Sequence, residues 1–326
     1  MIRRSRNLLA TLALATVGAA IAASPAGATS PMPAWRVESH AAPAHLVPGL
    51  SGGEDMYMIR AVNAGGAPTD GSTVTITDEL PTGFTLQPNP TVVLLHALIV
   101  NDHHASADCE AGPPVTCHLT GVAADPVVPD EILTAWIPVQ APASGPPVVT
   151  NRVTVSGGGA APASAVEEAP FDSDPPPFAF QHLESSLSDV EGGPVTQAGA
   201  HPFSFRIGAG IDMSIHPETG YIQPPENLRN VKVALPPGLV LNPAATPKCA
   251  EAQLETNECP ADSAVGFFGT STTVFGFPDA GEPSPIFNVV APPGTASSFS
   301  FNALGLGFFF HVLGGVDAAD NYTLEG

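Results

Sequence analysis

The stretch Val74-Thr-Ile-Thr-Asp-Glu-Leu-Pro-Thr-Gly-Phe-Thr-Leu-Gln-Pro88 carries the pattern that decides the fold. Its first apolar residues alternate with threonine, a period of two that gives a β-strand one buried face and one solvated face. Leu-Pro-x-Gly then ends the strand, because proline and glycine favour turns. The pattern returns at 231–243 as Val-Lys-Val-Ala-Leu-Pro-Pro-Gly-Leu-Val-Leu-Asn-Pro. A strand and turn that recur in one chain indicate two related β-modules.

The composition favours short strands joined by turns over a mixed α/β enzyme. Of 326 residues, 37 are proline and 32 are glycine, and only 13% are charged. An average domain has about 5% proline and about 25% charged residues. The sequence therefore predicts an all-β fold of two tandem β-sandwich modules joined by a proline-rich linker.

The N-terminus has the layout of a secretory signal peptide. Three arginines precede an apolar run at 8–23, and Ala26-Gly27-Ala28 fits a small-residue cleavage site. We expect residues 1–28 to be removed and the protein to be secreted, extracellular or at the cell surface. An uncleaved anchor is the alternative. No later apolar run reaches the roughly 18 residues of a membrane helix, so no membrane span is expected in the mature chain.

The charge of the mature chain limits its partners. Removing the three signal-peptide arginines leaves seven basic residues against 31 acidic ones, a net charge of −24. This charge repels nucleic acid and anionic lipids but is compatible with divalent cations. We expect partners among other extracellular or cell-wall components, and the sequence does not identify them.

Changes in composition mark the predicted domain boundaries. The first module is expected at 29–157. Residues 158–177 combine a glycine run, an Ala/Pro/Glu stretch and a proline triplet, which predicts a linker. The second module is expected at 178–326. Because the chain stops just after another strand-like stretch begins, we expect this module to be incomplete at its C-terminus.

Three motifs of the first module follow one another in a recognisable order. They are Tyr57-Met-Ile-Arg-Ala-Val-Asn-Ala-Gly65, Val74-Thr-Ile-Thr-Asp-Glu-Leu-Pro-Thr-Gly83 and Val149-Thr-Asn-Arg-Val-Thr-Val155. Across about 35–157 this order resembles the conserved-repeat domain of unknown function found in bacterial surface proteins. The resemblance implies an immunoglobulin-like sandwich with a structural, stalk or adhesin-type role and no catalytic residues. This chain departs from the pattern by an insert at 103–118.

The second half resembles uncharacterised secreted actinobacterial proteins. The resemblance rests on short motifs that include Leu235-Pro-Pro-Gly-Leu239, Pro247-Lys-Cys249 and Cys259-Pro-Ala-Asp-Ser263. It implies no activity.

The four cysteines form two short-range pairs, Cys109/Cys117 and Cys249/Cys259. Three connectivities are possible, and pairing within each module is the simplest of them. Export permits disulfides. On the loop-entropy relation each would stabilise its module by about 2.5–3 kcal/mol.

Two groups of residues are candidate metal ligands. In the insert, His103, His104 and His118 accompany Asp108 and two cysteines, a donor set that suits zinc or copper, although adjacent histidines are more often solvated. Near the domain junction, Asp172 and Asp174, with Asp189 and Glu191, offer oxygen ligands for calcium, although acidic linkers usually only increase solubility. The sequence requires no metal or other cofactor.

Enzyme signatures are missing from the sequence. It has no Gly-x-Ser-x-Gly, no His-Glu-x-x-His and no Gly-x-x-x-x-Gly-Lys, so we predict a protein without catalysis. The expected function is that of a secreted or cell-surface structural or adhesion-type protein. The alternative is an extracellular binding module for carbohydrate or a divalent cation. Trp35, Trp136 and Tyr221 could stack on sugars, but we expect them in the core.

Overall fold

Two facing β-sheets build the first half of the chain in the computed structural model. The structure describes residues 31–50, 55–87, 93–97, 106–120, 126–226, 232–235, 239, 242–274, 277–303, 308–317 and 323–325. The predicted signal peptide lies outside these residues. So does 236–238, the Pro-Pro-Gly of the second Leu-Pro-x-Gly pattern.

Ten strands in the described part of the first half form the two sheets. They are β1 (Trp35–Ala42), β2 (Met56–Asn63), β3 (Val74–Glu79), β4 (Thr85–Leu86), β5 (Val93–Ala97), β6 (Ser106–Glu110), β7 (Val115–Thr120), β8 (Ile132–Gln140), β9 (Val148–Gly157) and β10 (Ala160–Pro170). One sheet has the order β1-β2-β8-β4, with β5 also paired to β8, and the other has the order β10-β9-β3-β7-β6. All strand pairs in both sheets are antiparallel.

The core of the sandwich lies between the two sheets. Tyr57, Ile59 and Ala61 of β2 face Ile76 of β3 and Val153 of β9 across it. The alternation that the sequence shows in β3 is therefore the alternation of core and solvent. β2 differs, because all eight of its residues are buried. Its second face must be covered by another part of the chain.

Residues 160–170 correct the predicted linker. They form β10, which pairs with β9, so the linker prediction is wrong for this segment. Gly158-Gly159 is the two-residue loop of a tight hairpin, and both residues have positive φ, which such hairpins require and glycine tolerates. Pro162 lies at an irregularity in the pairing of an edge strand, where a missing N–H disrupts little.

Nine further strands, one short α-helix and one 3₁₀-helix (Ala261–Ser263) follow in the described part of the second half. They are β11 (Phe180–Ser188), β12 (Ser204–Ile211), β13 (Ser214–Ile215), β14 (Ile222–Gln223), α1 (Glu251–Glu255), β15 (Ala264–Val274), β16 (Phe277–Val289), β17 (Ser297–Ala303), β18 (Phe308–Asp317) and β19 (Thr323–Glu325). β11 and β12 form a hairpin, β13 and β14 form a second one, and β15 to β19 form a five-stranded meander. The prediction of an all-β fold is confirmed, and the division into modules at 157 and 178 stays a prediction.

The meander is covered near β16 and exposed along β18. Leu254 of α1 and the Cys249–Cys259 disulfide pack against Val289 of β16. The sequence predicts that the strand around Phe308–Phe310 is covered on both faces. β18 is indeed interior in the sheet order, but Phe310, Val312 and Leu313 are 51%, 43% and 44% exposed, so neither face of this strand is fully covered and the expectation is wrong. No helix in the described residues has the length and apolar character needed to cross a bilayer.

Replacing Gly157 with alanine should destabilise the sandwich more than an ordinary glycine substitution does. A Cβ at Gly157 (φ +94°) would collide with the backbone carbonyl oxygen of Thr73, which cannot rotate away. Gly49→Ala is the matched control, because Gly49 also has positive φ (+76°) but its nearest neighbour, Ala143, lies at 3.7 Å. We expect Gly49→Ala to cost about 1 kcal/mol in urea unfolding, and Gly157→Ala to cost about 2 kcal/mol more. Equal losses would contradict the steric argument.

Candidate functional site

The hairpin β11–β12 has its polar face turned toward the sandwich. His182, Glu184 and Ser186 alternate along β11, and Arg206 lies opposite Ser186 on β12. These side chains meet the outer face of β1, where Arg36, Glu38 and His40 alternate in the same way. On β2, Arg60 lies directly opposite Glu38. We call the seven residues that meet here the charged cluster: Arg36, Glu38, His40, Arg60, His182, Glu184 and Arg206.

Glu38 is the centre of the ion pairs in the charged cluster. Its Oε1 accepts a hydrogen bond from Arg206 at 2.9 Å, and its Oε2 accepts one from Arg60 at 3.3 Å. Arg36 donates to Glu184 Oε2 at 2.8 Å and to the Ser186 hydroxyl. Three of the seven basic residues expected in the mature chain therefore meet at one place.

The guanidinium groups keep Glu38 ionised although it is only 6% exposed. Burial raises the pKa of its carboxyl group, but the positive charges of Arg206 and Arg60 lower that pKa by more, so the net direction is downward. Its contribution to folding is therefore present at neutral pH, and it is lost as the pH falls through the lowered pKa. The cluster is a buried salt-bridge network that joins the hairpin to the sandwich.

Two stacked imidazoles lie beside these ion pairs. The rings of His40 and His182 are parallel within 3°, with centroids 3.7 Å apart. Burial, followed by the proximity of His182, lowers the pKa of His40 to about 3, and burial with Arg60 lowers the pKa of His182. Both rings are neutral at neutral pH, so each has a nitrogen lone pair available to a ligand. None of their four nitrogens has a hydrogen-bond partner in the structure.

Two glycines of β12 make room for the polar side chains of β11. Gly208 lies opposite Glu184, and Gly210 lies opposite His182. A Cβ at Gly208 would crowd the Glu184 carboxylate at 2.9 Å, and a Cβ at Gly210 would overlap the His182 ring. The sequence Ser204-Phe-Arg-Ile-Gly-Ala-Gly-Ile211 alternates polar or small residues with apolar ones, and this alternation is the sequence signal for the site.

One group of three potential metal ligands occurs among the residues that the structure describes. It consists of Glu38, His40 and His182, whose ligand atoms all lie within 4.8 Å of one another. None of the three is a candidate in the sequence analysis. The ligands come from β1 and β11, and their proximity follows from the docking of the hairpin.

The histidines of the predicted insert site are not brought together in the described residues. His118 is exposed on β7, where its Nδ1 lies 3.2 Å from the Thr75 hydroxyl. His103 and His104 lie outside the described residues. Cys109 and Cys117 are joined as a cross-strand disulfide, the pairing that the sequence analysis favours, so they offer no thiolate.

The acidic residues of the predicted calcium site stabilise local turns. Asp172 Oδ1 accepts a hydrogen bond from the backbone N–H of Asp174 at 2.9 Å and lies 2.9 Å from His45 Nδ1. Asp189 Oδ1 accepts from the backbone N–H groups of Glu191 and Gly193. Within the described residues, neither Asp172 nor Asp174 belongs to a group of three close metal ligands.

Asn63, from the first motif of the sandwich, satisfies the backbone at a strand end. Its Oδ1 accepts from the N–H groups of Ala34 and Gly65, both at 3.2 Å. Its Nδ2 donates to the carbonyl oxygens of Ala67 at 2.8 Å and Val127 at 2.9 Å. The Asn-x-Gly pattern is thus explained by hydrogen bonding to loops.

Asp78 and Asn151, from the other two motifs, are polar residues inside the core. Both are fully buried, as is Tyr57. Burial raises the pKa of Asp78 to about 7, and Asn151 opposes the rise. Neither carboxylate oxygen has a partner in hydrogen-bonding geometry, so the effect of Asn151 is that of a neighbour rather than of a well-formed bond. Because both side chains are fully buried in the core, we interpret them as structural.

The aromatic candidates for sugar stacking fall into two groups. Trp35 and Trp136 are buried, as the sequence analysis expects, and Trp35 donates its indole N–H to the carbonyl oxygen of Gly157 at 2.8 Å. Tyr221 is exposed.

Comparison with known proteins gives only distant structural likenesses. No protein-family model and no curated protein matches the chain. The full-length major pilin SpaD from Corynebacterium diphtheriae is 14% identical over 41% of this chain and 34% of its own length, with a TM-score of 0.31. The Bacillus cereus major pilin subunit BcpA is 12% identical over 60% of this chain and 64% of its own, with a TM-score of 0.30. AvmM, which catalyses macrocyclization in alchivemycin A biosynthesis, is 11% identical over 44% of this chain and 92% of its own length, with a TM-score of 0.24.

This chain spans less than two thirds of the length of either pilin. Likeness at this level assigns the chain to no family.

Replacing Asp78 with asparagine should stabilise the protein above neutral pH. Because its pKa is raised from 3.8 to about 7, the folded state binds this proton more tightly than the unfolded chain. The free energy of unfolding therefore falls by up to about 4 kcal/mol as the pH rises from about 4 to about 7, and this group causes no further change above pH 7. An asparagine amide could instead donate to Asn151 Oδ1, which has no partner.

We expect Asp78→Asn to be more stable than the wild type in urea unfolding at pH 8. Its free energy of unfolding should also lose most of the wild type's decrease between pH 4 and pH 7. Asp70→Asn is the matched control. Hydrogen bonds from Ser72 lower the pKa of the exposed Asp70, so its replacement should act in the opposite direction and weakly. If the decrease in stability between pH 4 and pH 7 persisted in Asp78→Asn, it would not come from Asp78, and the raised pKa would be wrong.

Replacing Arg206 with methionine should loosen the hairpin β11–β12. Glu38 would keep only Arg60, and an incompletely compensated buried carboxylate costs about 3 kcal/mol. Arg36→Met is the comparison, because the Arg36–Glu184 pair is more exposed, at 29% and 27%, and pairs of that kind contribute about 1 kcal/mol or less. For each variant, hydrogen exchange of the β11–β12 amides measures the loosening of the hairpin, and urea unfolding measures the loss of stability. A larger loss in Arg36→Met than in Arg206→Met would contradict the central role of Glu38.

Proposed function

We propose that this chain is an exported, non-catalytic structural or adhesion-type protein of the extracellular space or cell surface. The chain binds other extracellular or cell-wall components through the hairpin β11–β12. The first half is an immunoglobulin-like module of the conserved-repeat kind, and the signal peptide is removed after Ala28. The observation that carries the proposal is the apolar outer face of the hairpin.

The outer face of the hairpin carries mainly apolar residues, with Ser185 among them, and these alternate with the residues of the charged cluster. Leu183 on β11 and Phe203, Phe205 and Ile207 at β12 are all exposed, and Leu183 is the most exposed of them at 66%. The register places Leu187 opposite Phe205 and Leu183 opposite Ala209, so these residues share one side. A contiguous apolar patch on a protein of net charge −21 is typical of an interaction surface.

The polar face of the same hairpin supports a structural role. It is fixed to the sandwich by the charged cluster, and the neighbouring Met213 and Ile222 pack on Met56, Met58 and Trp136 of the sandwich. A patch presented on a fixed support loses little conformational entropy when it binds a partner. This arrangement suits an adhesive or stalk-like module.

The binding alternative has one observation in its favour. Glu38, His40 and His182 form a donor set for a divalent cation, whereas Trp35 and Trp136, two of the three aromatic candidates for carbohydrate binding, are buried. A cation would be compatible with the structural role, because it would strengthen the junction between hairpin and sandwich.

Export and adhesion can be tested together on the full chain. Expressed in a secreting bacterium, the protein should appear in the medium or wall fraction and begin at Thr29. Beads coated with the purified protein should bind isolated cell walls or beads coated with the same protein. Replacing Leu183, Phe205 and Ile207 with serine should remove this binding without lowering the melting temperature.

Val166→Ser is the matched control, because Val166 is similarly exposed on β10 but lies on the sandwich. It should bind as the wild type does. Retention in the cytoplasm would overturn the export proposal. Wild-type adhesion that survives the triple replacement, or a wild type that binds neither surface, would overturn the role of the hairpin.

A further inference from the structure

We propose that Glu38, His40 and His182 bind one divalent transition-metal ion at the junction of β1 with the hairpin β11–β12. This inference is independent of the adhesive role proposed above. It concerns a buried site, whereas adhesion concerns the opposite face of the hairpin.

The first argument is the unsatisfied chemistry of the histidine pair. His40 is only 8% exposed, and both of its ring nitrogens lack a partner, as do both nitrogens of His182. Buried polar atoms without a partner are costly and rare in native proteins. A metal ion that accepts one lone pair from each ring would remove two of the four unsatisfied nitrogens.

The second argument is the geometry of the donor set. The ligand atoms of Glu38, His40 and His182 lie within 4.8 Å of one another. Two nitrogens bound at about 2.05 Å to a tetrahedral ion lie about 3.4 Å apart, close to the 3.7 Å between the ring centroids. Because lone pairs lie in the ring planes, binding requires the rings to tilt out of their parallel stack. The absent side chain of Gly210 is what admits the His182 ring to this position, because a Cβ there would collide with its Cε1.

The surrounding charges neither exclude nor attract the ion strongly. Three guanidinium groups, of Arg36, Arg60 and Arg206, are opposed by the carboxylates of Glu38 and Glu184 and in part by Glu167, whose pKa burial raises to about 7 and whose Oε2 lies 4.0 Å from His40 Nδ1. A carboxylate has about four lone-pair sites, so Glu38 can keep both arginines and still bind a metal. The arginines would then orient the carboxylate, as outer partners of metal ligands commonly do.

The donor set selects a class of metal. Two imidazoles and one carboxylate suit Zn²⁺ or Cu²⁺, whereas Ca²⁺ and Mg²⁺ prefer oxygen ligands alone. The ligands come from the sandwich and from the hairpin, so the ion would crosslink the two. Removal of the metal should therefore increase exchange in β11 before it affects the core.

The test uses the full-length, disulfide-bonded protein after chelator treatment. Titration with Zn²⁺ should give one equivalent bound, and one equivalent of Cu²⁺ should give an electron paramagnetic resonance spectrum with two nitrogen ligands. His40→Gln and His182→Gln should each weaken Zn²⁺ binding by more than about tenfold and remove one nitrogen from the spectrum. Zn²⁺ should slow hydrogen exchange in β11.

A triple variant, His103→Ala with His104→Ala and His118→Ala, separates this site from the histidines of the insert. It should bind Zn²⁺ and Cu²⁺ as the wild type does, and it decides the question even if a His40 or His182 variant fails to fold. Wild-type protein that binds no metal would overturn the proposal. Binding that is lost in the triple variant and kept in His40→Gln would assign the metal to the insert instead.

Discussion

Strand β2 is buried on both faces, and the rest of the structure depends on this constraint. Its inner residues, such as Tyr57 and Ile59, fill the sandwich core, and its outer residues, such as Met58 and Arg60, lie beneath the second half of the chain. A sheet covered on only one face would leave Arg60 in solvent. Covering it requires a buried partner for the guanidinium group, and Glu38 on the adjacent strand provides it.

The hairpin β11–β12 completes this arrangement because its two faces have opposite character. The face toward the sandwich carries Arg206, which donates a hydrogen bond to the second carboxylate oxygen of Glu38. The face toward solvent is apolar. Most surface hairpins have the reverse distribution, since burial favours apolar side chains. Because the charged face docks on the sandwich, the apolar face is left in solvent, and this is the face that we propose contacts a partner.

The resemblance to a conserved-repeat domain concerns packing rather than chemistry. Asn63, Asp78 and Asn151 come from its three motifs, and all three are buried in the sandwich. Asn63 bonds the backbone of two loops, whereas Asp78 and Asn151 are polar residues in the core. None of them belongs to the charged cluster. Arg60 of the first motif does belong to it and donates to Glu38, so the candidate site shares one residue with the recognisable motifs.

The sequence by itself determined the local structure. A period of two defines strands such as β3 and β9 because side chains alternate between faces, and proline and glycine define turns because they restrict or relax φ. The same local reasoning treated Gly158-Gly159 as the start of a linker, because glycine alone does not distinguish a flexible segment from a tight hairpin.

Only the tertiary structure decided the site. Glu38 and His40 on β1 meet His182 and Arg206 because a hairpin far along the chain covers one particular face of one sheet. Periodicity shows that a strand has two faces but not which distant segment covers the second. Ion pairing and ligand geometry depend on that choice, and it follows from packing over the whole chain.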